Sequence, residues 1–188
     1  MAFEREAIRP HILGSFLDIL RASTRHPAML IYLDNQRSIG PKSMGGRIGK
    51  KGLNENLARE ILELHTLGVT GGYTQRDVTE FAKILTGWSV DTDDKGDGTG
   101  FFFRKGIHEP GDKIVLGKTY GDYGVGEGEA ALRNFAAHPS TAKFIATKIA
   151  RHFIADEPSS NSIDALAKTF ANTNGNLMEI YKTLLSLE

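Results

Sequence analysis

The chain has 188 residues, 40% hydrophobic and 24% charged, which is the composition of an ordinary folded domain rather than of a disordered segment. Its 23 basic residues balance 23 acidic ones, so the net charge gives no reason to expect a nucleic-acid partner. No apolar run approaches the roughly 18 residues of a membrane span, and the N-terminus carries acids where a signal peptide carries bases. The absence of cysteine excludes disulfides and thiolate chemistry. We therefore expect a single soluble domain with no nucleic-acid partner and no membrane span.

Helical spacing of apolar residues dominates the first part of the chain. It predicts a helix over about 10–24 and a second, buried helical segment that begins at Pro27. Residues 36–52 are rich in glycine, lysine and arginine and contain no acid, which predicts a flexible basic loop. A phosphate or nucleic-acid contact is the less favoured alternative there, because no aromatic residue is interleaved for base stacking.

Two further helices are predicted over 54–67 and 75–86, joined as an antiparallel hairpin. Gly68 is placed to end the first of them in a left-handed conformation. Thr74, with Asp77 three residues later, resembles a capping box that opens the second.

Short strands are predicted at 88–90, 101–103 and 114–116, forming one small β-hairpin inserted over about 88–118. The acidic stretch 91–98 has some features of a calcium loop. A calcium loop, however, requires an oxygen ligand at the position of Lys95 and a bidentate glutamate at that of Phe102. A polar hairpin turn is therefore favoured.

The rest of the chain is predicted to be helical, over about 127–137, 139–154, 161–172 and 175–187. The last helix stays apolar to its end without a capping residue, so we expect 1–188 to be a single domain cut from a longer protein. The fold class is mainly α, a helical array with a small inserted antiparallel β-hairpin.

The 54–67 helix concentrates the polar groups that could carry chemistry. On a regular α-helix, Glu60 and Glu63 lie one turn apart and could hold one cation or share one proton. His65 would point about 140° away from Glu60, so this helix could not chelate an ion with all three side chains. We expect no bound metal. If a metal does bind, its ligands should be Glu60 and Glu63, with further ligands such as His26, His108 or Asp77.

More ordinary interpretations exist for these residues. Glu55, Arg59 and Glu63 are spaced as a ladder of surface ion pairs. The same helical wheel places His65 in an apolar face with Leu57, Ile61 and Leu64, where its ring would bond a buried backbone group. Glu60 is the carboxylate that the ladder leaves without an explanation.

His108 lies in a polar loop that follows three phenylalanines. A histidine there could act as a general acid or base, because its pKa lies near neutrality. An exposed loop histidine with no chemical role is the alternative.

Several motifs spread over most of the chain are long and specific. They cover 26–35, 53–60, 63–69, 71–75 with 77–78, 85–88, 108, 111–113, 116–117 and 138–139. Together they resemble the bacterial family known as domain of unknown function 1800. The resemblance implies a longer, often exported or periplasmic protein without an established activity. It covers the positions Asn54, Glu55, Asn56, Arg59, Glu60, Glu63, His65 and His108, and gives none of them a role.

Two functions are therefore open. The first is a helical binding or assembly module of an exported bacterial protein, whose partner is another protein, a flanking segment of its own full-length chain or a second copy. Its candidate binding residues are Asn54, Glu55, Asn56, Arg59, Asp77 and Trp88. The alternative is a hydrolase-like enzyme with an acid–base or metal site built from Glu60, Glu63, His65 and His108. No cofactor is predicted, although a divalent cation is possible.

Overall fold

The computed structural model describes residues 2–49, 52–93, 96 and 98–187. The α-helices, numbered in chain order, are Phe16–Arg25 (α1), Pro27–Tyr32 (α2), Met44–Ile48 (α3), Asn56–Glu60 (α4), Gln75–Leu85 (α5), Val125–Ala136 (α6), Pro139–Phe153 (α7), Ser160–Asn172 (α8) and Leu177–Leu185 (α9). Two π-helical segments, Glu4–Ile8 and Ile61–His65, and three 3₁₀ turns, Arg9–His11, Asn35–Arg37 and Lys105–Ile107, complete the helical structure of the described residues. The mainly α fold class is confirmed.

The described strands form two antiparallel hairpins, where the sequence predicted one. Trp88–Val90 (β1) pairs with Phe101–Phe103 (β2), and Lys113–Val115 (β3) pairs with Lys118–Tyr120 (β4). Leu116 and Gly117 form the second turn, both with positive φ, as a two-residue turn between right-twisted strands requires. The Asp77 carboxylate accepts the Leu116 N–H at 2.6 Å and so holds a leucine in a conformation it rarely adopts.

The first helix begins later than predicted. Ser15 is its N-cap, and the Ser15 hydroxyl accepts the Leu17 N–H at 3.1 Å. The residues before it form the π-helical segment and a 3₁₀ turn instead of a continuous helix from residue 10. At α5, by contrast, the predicted capping box between Thr74 and Asp77 is confirmed.

The basic segment 36–52 was predicted as a loop, and its described residues contain more structure than that. α3 lies within this segment. The Ser43 hydroxyl stabilises the start of α3 by accepting the Gly46 N–H at 3.0 Å. The calcium-loop alternative at 91–98 falls partly on residues 94, 95 and 97, which lie outside the described residues.

The core lies between the helical hairpin, the β-hairpins and the C-terminal helices. α5 packs on α4, α6 and β3, α6 packs on α1, and α7, α8 and α9 pack in succession. Phe81 of α5 meets Phe135 of α6 edge to face, with ring centroids 4.8 Å apart. The chain closes on itself where Phe16 N–H donates to the Gly175 carbonyl and Leu177 N–H donates to the Gly14 carbonyl, both at 2.8 Å. Within the described part of the chain, no helix has the length and apolar character needed to cross a membrane.

Candidate functional site

Three ionisable side chains meet in the interior between β3 and α6. The Lys113 ammonium donates to both carboxylate oxygens of Glu127 at 3.1 Å and lies 3.4 Å from His108 Nε2. His108 Nε2 also contacts Glu127 Oε1. Lys113 and Glu127 are each 1% exposed and His108 is almost as buried, so water does not screen their charges. We call these three residues the buried triad.

Local structure explains how charged residues reach this position. Side chains alternate across β3, so Lys113 and Val115 face the core while Ile114 faces outward. Glu127 lies in the first turn of α6, where the positive end of the helix dipole favours a carboxylate. The next residue, Gly128, lets α6 approach Trp88, because a Cβ at Gly128 would lie 2.4 Å from the indole ring.

The His108 ring is held in one orientation by the end of α5. His108 Nδ1 lies 2.7 Å from the Thr86 carbonyl oxygen, which can only accept, so Nδ1 carries a proton and donates. In the neutral ring the lone pair is then on Nε2, the atom that faces Glu127. His108 is therefore not the exposed loop histidine considered above.

A fourth side chain approaches the triad from the surface. Asp122 Oδ1 lies 3.8 Å from His108 Nε2, and the Asp122 side chain is 46% exposed. Single ligand atoms of His108, Asp122 and Glu127 all lie within 4.8 Å of one another, which is a grouping that could hold a metal ion. Lys113 already supplies a positive charge to Glu127 in that grouping.

An open groove adjoins the buried triad, with a volume of about 370 Å³. Its lining includes the cations Lys42, Arg47 and Lys105, the apolar Met44 and Ile48, and His108. Met44 is 70% exposed and Ile48 is 85% exposed. Among the described residues, no carboxylate forms an ion pair with any of the three cations. We call this feature the basic groove.

The two walls of the basic groove are fixed to each other by hydrogen bonds. Gly40 N–H donates to the Ile107 carbonyl at 2.8 Å, and Lys42 N–H donates to the buried Glu109 carboxylate at 2.7 Å. A Cβ at Gly40 would lie 2.6 Å from the Glu109 backbone, so only glycine permits this approach. The groove is therefore built into the packing of the basic segment against the loop that carries His108.

The 54–67 motif does not coil as the sequence predicted. It is α-helical only to Glu60, and Ile61–His65 is π-helical, with hydrogen bonds that span five residues instead of four. This wider turn brings His65 Nε2 to 3.7 Å from Glu60 Oε1, where a regular α-helix would separate them. It also turns Leu64 outward, to 45% exposure. The predicted angular separation of His65 from Glu60 is thus wrong, as is the placement of Leu64 in the apolar face.

The predicted backbone partner of the His65 ring is also not found. His65 Nδ1 is a buried nitrogen without a hydrogen-bond partner among the described residues. Burial lowers the pKa of the His65 imidazole below its ordinary value of 6.5, and the nearby Lys148 ammonium lowers the pKa further.

Stability should therefore fall in acid partly because of His65. Its folded-state pKa lies below its unfolded-state value, so the unfolded chain takes up the proton first as the pH drops below about 6.5. The neutral form contributes its full stability above that pH and loses it as the pH falls toward the folded-state pKa. His65→Gln should show a smaller loss of melting temperature between about pH 7 and pH 5 than the parent. His152→Gln, at an exposed histidine, is the control and should follow the parent curve; equal slopes for all three proteins would contradict this role of His65.

The predicted ion-pair ladder is present on the 54–67 motif. Arg59 donates to Glu63 at 3.1 Å, to Glu55 at 3.4 Å and to Gln75 at 2.7 Å. A hydrogen bond from the Thr79 hydroxyl is the main cause that lowers the pKa of Glu55. The ladder joins α4 to α5, and exposed pairs of this kind contribute little stability each.

The other predicted residues have structural contacts of their own. Asn54 caps the Asn56 N–H at 2.8 Å, and Asn56 is exposed. Asp77 caps α5 and holds the β3–β4 turn. Trp88 is fully buried against Phe101, so it belongs to the core rather than to an accessible surface.

The structure therefore separates residues that the sequence grouped. Glu60 lies near His65, while His108 belongs to the buried triad, and no hydrogen bond or ion pair joins the two groups within the described residues. Sequence reasoning did not single out Lys113 or Glu127. The available signal was the spacing of Lys113 and Val115, which lie two residues apart in a short strand and therefore face the same side of it.

Comparison with known proteins agrees with the motifs in the chain. No curated protein and no solved structure matches it. A family described as "Protein of unknown function (DUF1800)" matches residues 1–188, which is the whole chain. The predicted resemblance is thus confirmed, and the chain belongs to the DUF1800 family.

Proposed function

We propose that this protein is a binding module that docks an acidic protein segment carrying apolar side chains in the basic groove. The observation that carries the proposal is the lining of the groove, in which three cations that have no carboxylate partner among the described residues accompany exposed Met44 and Ile48. Exposed apolar side chains beside charges of one sign are typical of interaction sites. A partner that supplies carboxylates and aliphatic groups would complement both features.

Two members of the buried triad cannot contact the partner. Lys113 and Glu127 are inaccessible to a docked chain, and His108 is the one member of the triad that lines the groove. The Ser43 hydroxyl at the groove donates to the Gly40 carbonyl at 2.6 Å and accepts the Gly46 N–H. It is therefore committed to the backbone and is not available as a nucleophile, which favours binding over acyl transfer.

Fluorescence anisotropy with a short labelled peptide of alternating glutamate and leucine tests the proposal. We expect the parent to bind this peptide and to ignore a matched peptide of alternating lysine and leucine. Arg47→Glu/Lys105→Glu should weaken binding by about tenfold or more, because two attractive charges become repulsive. Lys143→Glu/Lys168→Glu makes the same charge change on exposed residues of α7 and α8 and should leave binding unchanged.

Apolar contacts provide a second arm of the same experiment. Met44→Ser/Ile48→Ser should also weaken binding of the glutamate–leucine peptide, whereas neither residue contributes to the core. Equal affinity in the parent and both groove variants would contradict the proposal. A parent that forms dimers, and loses them in Met44→Ser/Ile48→Ser, would instead identify a second copy of the chain as the occupant.

Hydrolysis is the second candidate function, and one observation favours it. His108 lines the groove and is grouped with Asp122 and Glu127 in an arrangement that could hold a metal ion. Mass spectrometry of the peptide after incubation separates the two functions, because a docking module returns it intact and a peptide hydrolase returns fragments. Export of the protein, which the family resemblance implies, stays a prediction that fractionation of the native cells would test.

A further inference from the structure

We propose that His108, Asp122 and Glu127 form a binding site for a divalent transition-metal ion, for which the Lys113 ammonium is a built-in competitor. This inference goes beyond the docking function and does not depend on it. It rests on the orientation of the His108 ring, on the two carboxylates that face it and on the position of the lysine.

The ring of His108 is presented as metal-binding histidines are. Its Nδ1–H donates to the Thr86 carbonyl at 2.7 Å, so Nε2 is the ring nitrogen left to bind an ion, and it faces Glu127 and Asp122. A backbone carbonyl behind the ring is a common second partner of ligating histidines, because it fixes both the tautomer and the ring plane. The Thr86 hydroxyl accepts the Glu109 N–H at 2.8 Å, which holds the loop carrying His108 against the end of α5.

The two carboxylates complete three sides of a coordination sphere. One ligand atom from each of His108, Asp122 and Glu127 lies within 4.8 Å of the others. Two ligand atoms of a tetrahedral zinc ion are separated by roughly 3.3–3.6 Å, given metal–ligand distances of about 2.0–2.2 Å. The separation of His108 Nε2 from Asp122 Oδ1, 3.8 Å, is already close to this value, whereas His108 Nε2 and Glu127 Oε1 are in direct contact and must move apart to admit the ion. Because Asp122 is half exposed, an ion can enter from solvent and keep water on its open side.

The ligand set favours particular ions. One imidazole nitrogen with two carboxylates suits zinc or another first-row transition metal, whereas magnesium and calcium prefer oxygen ligands alone. The only cluster of three or more potential ligands within the described residues is this one.

Lys113 decides how strongly an ion is held. Its ammonium lies 3.1 Å from both Glu127 oxygens and 3.4 Å from His108 Nε2. The ammonium therefore contacts the same groups that would bind the metal ion. An incoming ion must displace that ammonium and tolerate its positive charge nearby. The parent should thus bind zinc weakly, and removal of the ammonium should strengthen binding.

Zinc titrations followed by calorimetry and by thermal melting test the site. We expect Lys113→Met to bind one zinc ion per chain at least about tenfold tighter than the parent, and to gain more in melting temperature from zinc. Adding His108→Phe to Lys113→Met should abolish both effects, and magnesium should produce neither. If Lys113→Met binds zinc no better than the parent, or if His108→Phe leaves binding intact, the proposal is overturned.

A second comparison holds even if Lys113→Met does not fold. Asp122→Asn alters a half-exposed side chain, so the variant should keep its fold, as circular dichroism would verify. The stabilisation of the parent by high zinc concentrations should then be lost in Asp122→Asn. Equal stabilisation of the parent and Asp122→Asn would overturn the site independently. Peptide binding is measured without metal, so failure of the zinc site and failure of the docking function are separate results.

Discussion

Glu127→Gln is expected to lower the free energy of unfolding by about 3–5 kcal/mol, the usual cost of breaking a buried ion pair. The substitution preserves the shape of the side chain but leaves the Lys113 ammonium buried without a carboxylate. The group cannot recover its hydration, because Lys113 is almost completely enclosed. Urea unfolding followed by circular dichroism measures the change.

Two further variants show whether the loss comes from the uncompensated charge. Lys113→Met/Glu127→Leu removes both charges and should be considerably more stable than Glu127→Gln, because no buried ion is left unpaired. Glu179→Gln breaks the exposed pair with Lys182, whose atoms lie 2.7 Å apart, and should cost no more than about 1 kcal/mol. A Glu127→Gln protein as stable as the parent would show that Lys113 and Glu127 do not form a charged pair in the folded protein.

Leu62→Ala is expected to cost about 2–5 kcal/mol, whereas Leu64→Ala should cost no more than about 0.5 kcal/mol. The two leucines are two residues apart, and the π-helical turn decides which one reaches the core. Leu62 is fully buried, while Leu64 is 45% exposed. The same denaturation experiment measures both variants.

This pair of variants discriminates between two geometries of the motif. A regular α-helix places Leu64 on the apolar face with Leu57 and Ile61. In that geometry Leu64→Ala would be strongly destabilising. Comparable losses for the two variants, or a larger loss for Leu64→Ala, would therefore be evidence against the π-helical turn.

Local signals in the sequence were sufficient for much of the helical structure. Thr74 and Asp77 predicted the start of α5, because a capping box needs only residues three apart. The start of the helix predicted over 139–154 is likewise that of α7, where the His138 ring accepts the Ser140 N–H at 3.1 Å. Such starts depend on neighbours in the chain, so periodicity and capping patterns can identify them.

The candidate site depended on contacts that no local pattern records. Lys113 and Glu127 belong to a hairpin and a helix, and only the packing of α6 brings them together. The π-helical turn changes one hydrogen-bonding step inside an otherwise regular apolar period, so a helical wheel misplaces each residue after it. The basic charges at 36–52 were visible in the sequence, but the groove forms only because Gly40 packs on Glu109.

The bridge between Ser15 and Asn176 affects the order in which the molecule can assemble. These residues are far apart along the chain, so their pairing is a long-range contact between the segment before α1 and the segment before α9. The entropic cost of closing such a loop grows only with the logarithm of its length, at about 0.6 kcal/mol per doubling. The cost is thus modest in equilibrium, but contacts of this range slow folding. The backbone amides at the starts of α1 and α9 should therefore become protected from hydrogen exchange late in folding, after the internal helices have packed.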